Sequence, residues 1–363
     1  MRVAFVHDYL TQFGGAERVL LAMHGLYPDA PIYTSIYDQE PFDGAFDSFD
    51  VRTTWLQKIP FASRSFRALL PLYPRAFEAL DLSEFDLVIS STSSFAKGVR
   101  VRSGAVHVSY IHTPTRFLWR QDEYAFDVAP FWSRPMLAAV LPALKRWDYA
   151  AAQSPTHVIA NSRNVAERIR ACYGRSSDVV HCPADVEAFS PVPAAQLGAY
   201  YLVATRMLRY KRVHLAIEAC REIGAPLVII GSGPDERRLR ALAGPSVRFT
   251  GRVTDAARAS LFACARAVIV PGEEDFGLVP VEASAAGRPT VAFGAGGALE
   301  TVIEGVTGVF FREPTGAALA QTLRALDPAA FDVGAMHLHA ETFSVARFRE
   351  KLAALLSRWT NAT

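Results

Sequence analysis

Short apolar runs alternate with stretches of helical periodicity along almost the whole chain, and the alternation is played out twice. A parallel sheet covered by helices on both faces demands this pattern, because its strands are buried on both sides and read as unbroken apolar runs. In the first half such runs fall at residues 3–7, 32–36, 87–90, 107–111 and 157–161. In the second they fall at 200–205, 227–230, 247–250, 267–270 and 290–293. Each half is therefore predicted to be α/β, a Rossmann-like, doubly wound sheet. Ligands of such sheets bind beyond the carboxyl ends of the strands, so the loops there carry the functional reading.

With 363 residues and 50% hydrophobic content, the chain is long enough for two domains with separate cores. The proline-rich stretch 185–198, DVEAFSPVPAAQLG, is the expected linker. It predicts a first domain over 1–190 and a second over 191–343. The final helix, 344–359, places Val345, Phe348, Leu352, Leu355 and Leu356 on one stripe, which needs another surface to cover it. A net charge of +2, from 38 basic and 36 acidic side chains, gives no global sign of nucleic-acid binding. Cys172, Cys182, Cys220 and Cys264 lack the close pairing of a zinc site or a disulfide framework, which points to reduced thiols in a cytoplasmic protein. The apolar run after Met1 is too short for a signal peptide, and the stretch 135–144 is too short to span a bilayer.

Chemistry concentrates in residues 266–294, where Glu274 and Glu282 flank a strand-to-helix junction. Pro280 is placed to open a helix and Gly287 to stop it, so Glu282 is expected in the first helical turn and Glu274 in the loop before it. The main-chain N–H groups of Gly277, Leu278 and Val279, next to Phe276, then lie at a helix N-terminus suited to phosphate. Glu282 taken alone could instead be a dipole-complementing acid, as first turns often contain. After the run 200–205 come Arg206, Arg209, Lys211 and Arg212, of which Arg206 and Lys211 are the favoured pair for a diphosphate; a solvated basic turn would look similar. Gly231-Ser232-Gly233-Pro234 fits close approach of a ligand or a plain turn, and Arg252 with Val253 could offer main chain to a nucleobase.

In the first half, Gly14-Gly15 precedes a helical pattern and permits an anion at its N-terminus, or is simply a tight turn. The G-x-G-x-x-G fingerprint of nicotinamide enzymes is missing there. His112 ends a strand before a proline-fixed turn, with Arg116 four residues on; its ring nitrogens suit sugar hydroxyls, although an isolated histidine is more often structural. Between 52 and 77 the basic residues Arg52, Lys58, Arg64, Arg67 and Arg75 interleave with Trp55, Phe61, Phe66, Tyr73 and Phe77, without an acidic residue. That suits an anionic membrane surface, or a helix pair packing its aromatics inward.

Taken in order, Gly14-Gly15, Arg206 with Lys211, Gly231-Ser232-Gly233-Pro234 and the E-x7-E element from Glu274 to Glu282 resemble the retaining GT-B glycosyltransferases of family four. The resemblance implies two Rossmann-like domains facing a central cleft, the first for an acceptor and the second for a nucleotide sugar. It also implies that the segment 344–363 crosses back onto the first domain. Arg206 and Lys211 would neutralise the leaving diphosphate, Glu274 would orient the donor sugar, Glu282 would take ribose hydroxyls, and His112 would lie near the transferred sugar. No Asp-x-Asp motif stands where a metal-bound diphosphate needs one, so the expectation is metal-independent transfer with retention and no further cofactor. The segment YIHTPTRFLW resembles a subgroup using GDP-mannose in polysaccharide assembly, which favours mannosyl transfer to a glycan or polyprenyl-linked glycan at the cytoplasmic face of a membrane. A UDP-hexose donor, a GT-B epimerase and a non-catalytic sugar-nucleotide sensor are the alternatives.

Overall fold

A computed structural model of the protein describes residues 1–120, 134–192 and 198–360, with backbone alone at 64, 65, 67 and 134–138. Residues 193–197 of the expected linker, and the side chains of Arg64 and Arg67, lie outside the described residues. The chain divides into two compact units, Met1–Pro183 together with Phe348–Thr363, and Ala184–Arg347.

The first unit holds β1 (Val3–His7), β2 (Ile32–Thr34), β3 (Val51–Thr53), β4 (Leu87–Thr92), β5 (Val106–Ile111), β6 (His157–Ala160) and β7 (Asp178–Val179). All pairings are parallel, in the order β3-β2-β1-β4-β5-β6-β7. Every residue of β1, β4 and β5 is buried, as expected for strands with helices on both faces. Ala4 and Val6 of β1 and Val88 of β4 join Leu56, Tyr73, Phe77, Phe95 and Leu118 in one core, while Ile111 of β5 packs with Val158, Val165 and Ile169 in another.

In the second unit, β8 (Tyr201–Ala204), β9 (Leu227–Ile230), β10 (Val247–Gly251), β11 (Ala267–Val270), β12 (Thr290–Phe293) and β13 (Gly308–Phe311) run parallel in the order β10-β9-β8-β11-β12-β13. Val203, Ile229, Ile269 and Val291 meet Leu215 and Ile217 of the helix Val213–Glu222 and Leu319 of the helix Gly316–Ala325. Both sheets thus share the doubly wound order, in which the direction of winding reverses beside the first strand. The reversal opens a crevice at the carboxyl ends of β1 and β4, and another at those of β8 and β11.

The sequence pattern leaves out β3, β7 and β13. They are edge strands of the two sheets, two to four residues long and only partly buried, so they lack the unbroken apolar run of a strand covered on both faces. The helix Val345–Thr360 belongs to the first unit for most of its length: Phe348, Leu352, Leu356 and Trp359 are buried. Trp359 stacks on His157 with ring centres 4.1 Å apart, and Arg349 Nε donates to the carbonyl of Ala22 at 2.8 Å.

Candidate active site

In the second unit the crevice is built from two loops. Strand β8 runs into Thr205–Leu208 and a tight turn Arg209–Lys211, and Arg212 takes a left-handed φ of 52° before the helix Val213–Glu222 begins. Strand β11 runs into Pro271–Phe276, and Gly277, at φ 98°, caps the helix Leu278–Ala285. Gly272 lets the two loops touch, because a Cβ there would stand 2.7 Å from Lys211 Cα. The consequence is an ion pair: Lys211 Nζ lies 2.5 Å from Glu274 Oε2, with both side chains mostly buried. A small cleft is lined by Ala204, Thr205, Lys211, Val270, Pro271 and Glu274. Arg206, half-buried, leaves β8 in the same loop.

The helix begins at Leu278, two residues before Pro280, so Glu282 sits beyond the first turn rather than in it. Its carboxylate meets a partner that the sequence did not suggest, the guanidinium of Arg258 from the helix Asp255–Ala263. Arg258 in turn lies over the Phe262 ring, 5.1 Å from its centre, which holds the pair in place. Phe276 turns inward, 3% exposed, with its ring edge against Phe343, so only its main chain faces the turn. Gly277, Leu278 and Val279 stand at the helix start as the sequence anticipates.

Gly231 and Gly233 have a structural explanation. A Cβ would meet Thr205 O at 2.1 Å from the first and Met207 O at 2.3 Å from the second. The two loops therefore nest main chain against main chain, tied by Met207 N–H donating to Ser232 O at 3.1 Å. Arg252, exposed, and Val253 follow β10 at the same edge of the sheet.

The first unit's crevice is knit by buried polar groups. Asp8, just after β1, accepts from Thr92 Oγ1 at 2.9 Å and from the N–H groups of Ser93, Phe95 and Ala96 at 2.6, 2.8 and 2.8 Å. These bonds fix the loop leaving β4. His112, after β5, lies 2.8 Å through Nε2 from Ser91 Oγ, and its carbonyl accepts from Asn161 at 2.9 Å. The segment beyond His112 is anchored by Asp148, fully buried, which accepts from Lys97 Nζ and Thr115 Oγ1 at 2.6 Å, Trp119 Nε1 at 2.7 Å and Tyr173 OH at 2.8 Å. A buried carboxylate with four donors is stable as a charge and rigid as an anchor. Gly14 caps the helix Gly15–His24, with its N–H donating to Glu17 Oε2 at 2.8 Å.

Two sheets of this order, each with polar residues gathered at its switch point, define a GT-B architecture of paired Rossmann-like domains. Comparison with known proteins gives the family of the parts. The chain carries a domain of the Glycosyltransferase Family 4 type over residues 13–188 and one of the Glycosyl transferases group 1 type over 199–326. It is 30% identical over 59% of its length to a D-inositol 3-phosphate glycosyltransferase of Catenulispora acidiphila, and spans 60% of that relative. A protein of the same description from Mycobacterium avium is 27% identical over 78% of this chain and 77% of its own length. In fold, the chain matches sucrose-phosphate synthase of Thermosynechococcus elongatus at a TM-score of 0.78 and 19% identity, over 100% of both chains. It matches Anabaena HepE in complex with UDP and glucose at 0.75 and 19%, over 98% of this chain and 99% of that one.

Proposed function

We propose that the protein transfers a hexose, with retention and without a metal, from a nucleotide-diphosphate sugar to a glycan or lipid-linked glycan. The observation that carries this reading is the Lys211–Glu274 pair at the switch point of β8 and β11, within a region of glycosyltransferase type. Departure of the diphosphate builds negative charge on its oxygens, and the sugar becomes oxocarbenium-like. In this reading Lys211, Arg206 and the N–H groups at the start of the helix Leu278–Ala285 meet the first charge, which the turn holding Lys211 and the helix start after β11 support. Glu274, held by Lys211, receives hydroxyls of the donor sugar; Glu282, oriented by Arg258, receives those of the ribose. His112 contributes a ring nitrogen to the transferred sugar. Main chain at Gly233, Arg252 and Val253 contacts the nucleotide sugar, and Gly14-Gly15 offers its turn to an anionic group of the same donor.

GDP-mannose is the first donor to test, on the strength of the segment YIHTPTRFLW. A UDP-hexose is the second, since a neighbour in fold is described with UDP and glucose. The names of the relatives favour a phosphorylated polyol as a competing acceptor. A peripheral membrane contact fits Trp55 and Phe61, 41% and 74% exposed beside exposed Lys58 and Arg75, whereas Tyr73 and Phe77 are core residues. Arg52 is already engaged by Asp50. Among the described residues no helix is long and apolar enough to cross a membrane.

The test is thermal unfolding with a panel of GDP- and UDP-sugars. A specific donor at a hundred times its Kd stabilises the native state by about 2.7 kcal/mol. Failure of every nucleotide sugar to raise the midpoint would sink the proposal, and activity that disappears on chelation and returns with a divalent ion would remove its metal-independent part.

A further inference from the structure

Lys211 grips the side chain of Glu274, but a carboxylate that must meet particular sugar hydroxyls also needs its main chain held. The loop after β12 supplies that hold. Glu274 pairs with Gly296 in a parallel bridge, and Gly297 N–H donates to Glu274 O at 2.8 Å. Gly297 has an ordinary φ of −65°, so its conformation does not call for glycine. Close approach does, because a Cβ there would stand 2.3 Å from Phe276 O and 2.5 Å from Asp275 O.

The same loop is braced from behind. Gly297 O takes the hydroxyl of Thr301, a fully buried residue, at 3.3 Å. Thr301 O lies 3.0 Å from Nε2 of His339, in the helix Val333–Glu341; a carbonyl only accepts, so that nitrogen carries the proton. The His339 ring packs edge to face with Phe343, centres 5.2 Å apart, and Phe343 packs likewise with Phe276 at 5.6 Å. Phe343 is fixed in turn through its carbonyl, which takes the N–H of Ala184 at 2.8 Å. These contacts close a ring that returns to Phe276, two residues beyond Glu274.

We infer that Gly297 and His339 are positioning residues for Glu274, a clamp that sets where its carboxylate stands against the donor sugar. A lysine ends a flexible stem, so Lys211 can follow Glu274 without fixing it. Main chain packed on main chain has no such freedom. A displacement of about 1 Å at a reacting group can cost about a hundredfold in rate, which is the scale of what the clamp protects.

Gly308 provides a matched control. It pairs with Thr290 where β12 and β13 begin, at the end of the sheet away from the crevice. A Cβ there would stand 2.1 Å from Thr290 O, an equally severe clash in the same unit.

Only the kinetic effect of the clamp rests on the transfer reading; the clamp itself does not. Full-length parent, Gly297→Ala, His339→Ala and Gly308→Ala are to be compared by amide hydrogen exchange at residue 297, by calorimetric titration with GDP and UDP, and by steady-state kinetics on the donor that most raises the unfolding midpoint. The amide of residue 297 is expected to exchange slowly in the parent and in Gly308→Ala. It exchanges about tenfold faster or more in Gly297→Ala and His339→Ala, beyond the intrinsic difference between glycine and alanine. In kinetics, kcat falls about tenfold to a hundredfold in Gly297→Ala and about threefold to tenfold in His339→Ala, with donor KM and nucleoside diphosphate affinity within about twofold. Gly308→Ala loses stability and keeps kcat. An amide as slow in Gly297→Ala as in the parent, the same acceleration in Gly308→Ala, or nucleotide affinity lost in step with kcat would overturn the clamp. If Gly297→Ala does not fold, His339→Ala decides by the same readings, and its matching the parent overturns the clamp. Exchange that responds as described in a protein that binds no nucleotide sugar supports the clamp and removes the transfer reading instead.

Discussion

Glu274 and Glu282 are seven residues apart in the interval between them, yet the structure gives each a different cation. Lys211 reaches Glu274 from the loop after β8, and Arg258 reaches Glu282 from the helix after β10. Their replacement should therefore separate. Glu274→Ala is expected to lower kcat by about a hundredfold, a loss of roughly 2.7 kcal/mol of transition-state stabilisation, with donor KM little changed. Glu282→Ala is expected to raise donor KM about tenfold with kcat nearly kept. Steady-state kinetics on the donor decides, and equal losses of kcat at unchanged KM in both would contradict the division. Asp148 tests a structural charge in the same way: Asp148→Ala strands Lys97 in the interior, and denaturant unfolding should show a loss of about 3–5 kcal/mol. None of these partners could be read from the sequence, because Lys211, Arg258 and Lys97 are 63, 24 and 51 residues from the groups they meet.

At the scale of elements, the strands legible in the sequence are short apolar runs that lie mostly buried inside a sheet. The runs at 227–230, 267–270 and 290–293 match β9, β11 and β12 end to end. The helix from Val213 also begins where the pattern turns from strand to helical period. The sequence places the start of the helix Leu278–Ala285 at Pro280, which suits a first turn generally, whereas Gly277 at φ 98° supplies the cap and the helix starts two residues earlier. Loop contact is a further property of elements. Gly272→Ala would push the loops after β8 and β11 apart, and a cost of about 1–3 kcal/mol in thermal or denaturant unfolding is expected, together with weaker donor binding.

Burial between β4 and β5 also makes an element sensitive to acid. Desolvation pushes the fully buried His107 down to about 3 from its usual 6.5. A group whose folded value is depressed takes its proton more readily in the unfolded chain. Its contribution to stability is therefore complete above about pH 6.5 and is lost as pH falls toward 3. Between pH 7 and 5 that loss amounts to about 2 kcal/mol, a contribution which His107→Gln should abolish; urea midpoints of parent and variant at the two pH values measure it.

For the whole molecule, the chain's last helix carries a consequence that its position in sequence conceals. Leu352 follows the second unit in the chain but is buried in the first. Leu352→Ala should cost about 2–5 kcal/mol, and hydrogen exchange should show the lost protection in the strands of the first unit. Protection lost only in the second unit would contradict the packing.

The sequence by itself determined the two α/β halves, the direction of their strands and the loops at which polar residues collect. Apolar runs without alternation can be satisfied only by strands covered on both faces, and the glycines and prolines between them mark where the chain must turn. The tertiary structure alone decided which loops become neighbours. Strand order places β11 beside β8 and β4 beside β1, so that Glu274 finds Lys211 and Ser91 stands between His7 and His112. Local periodicity holds no information about such pairings, because they follow from how the sheet is wound and from the few glycines that allow main chains to touch.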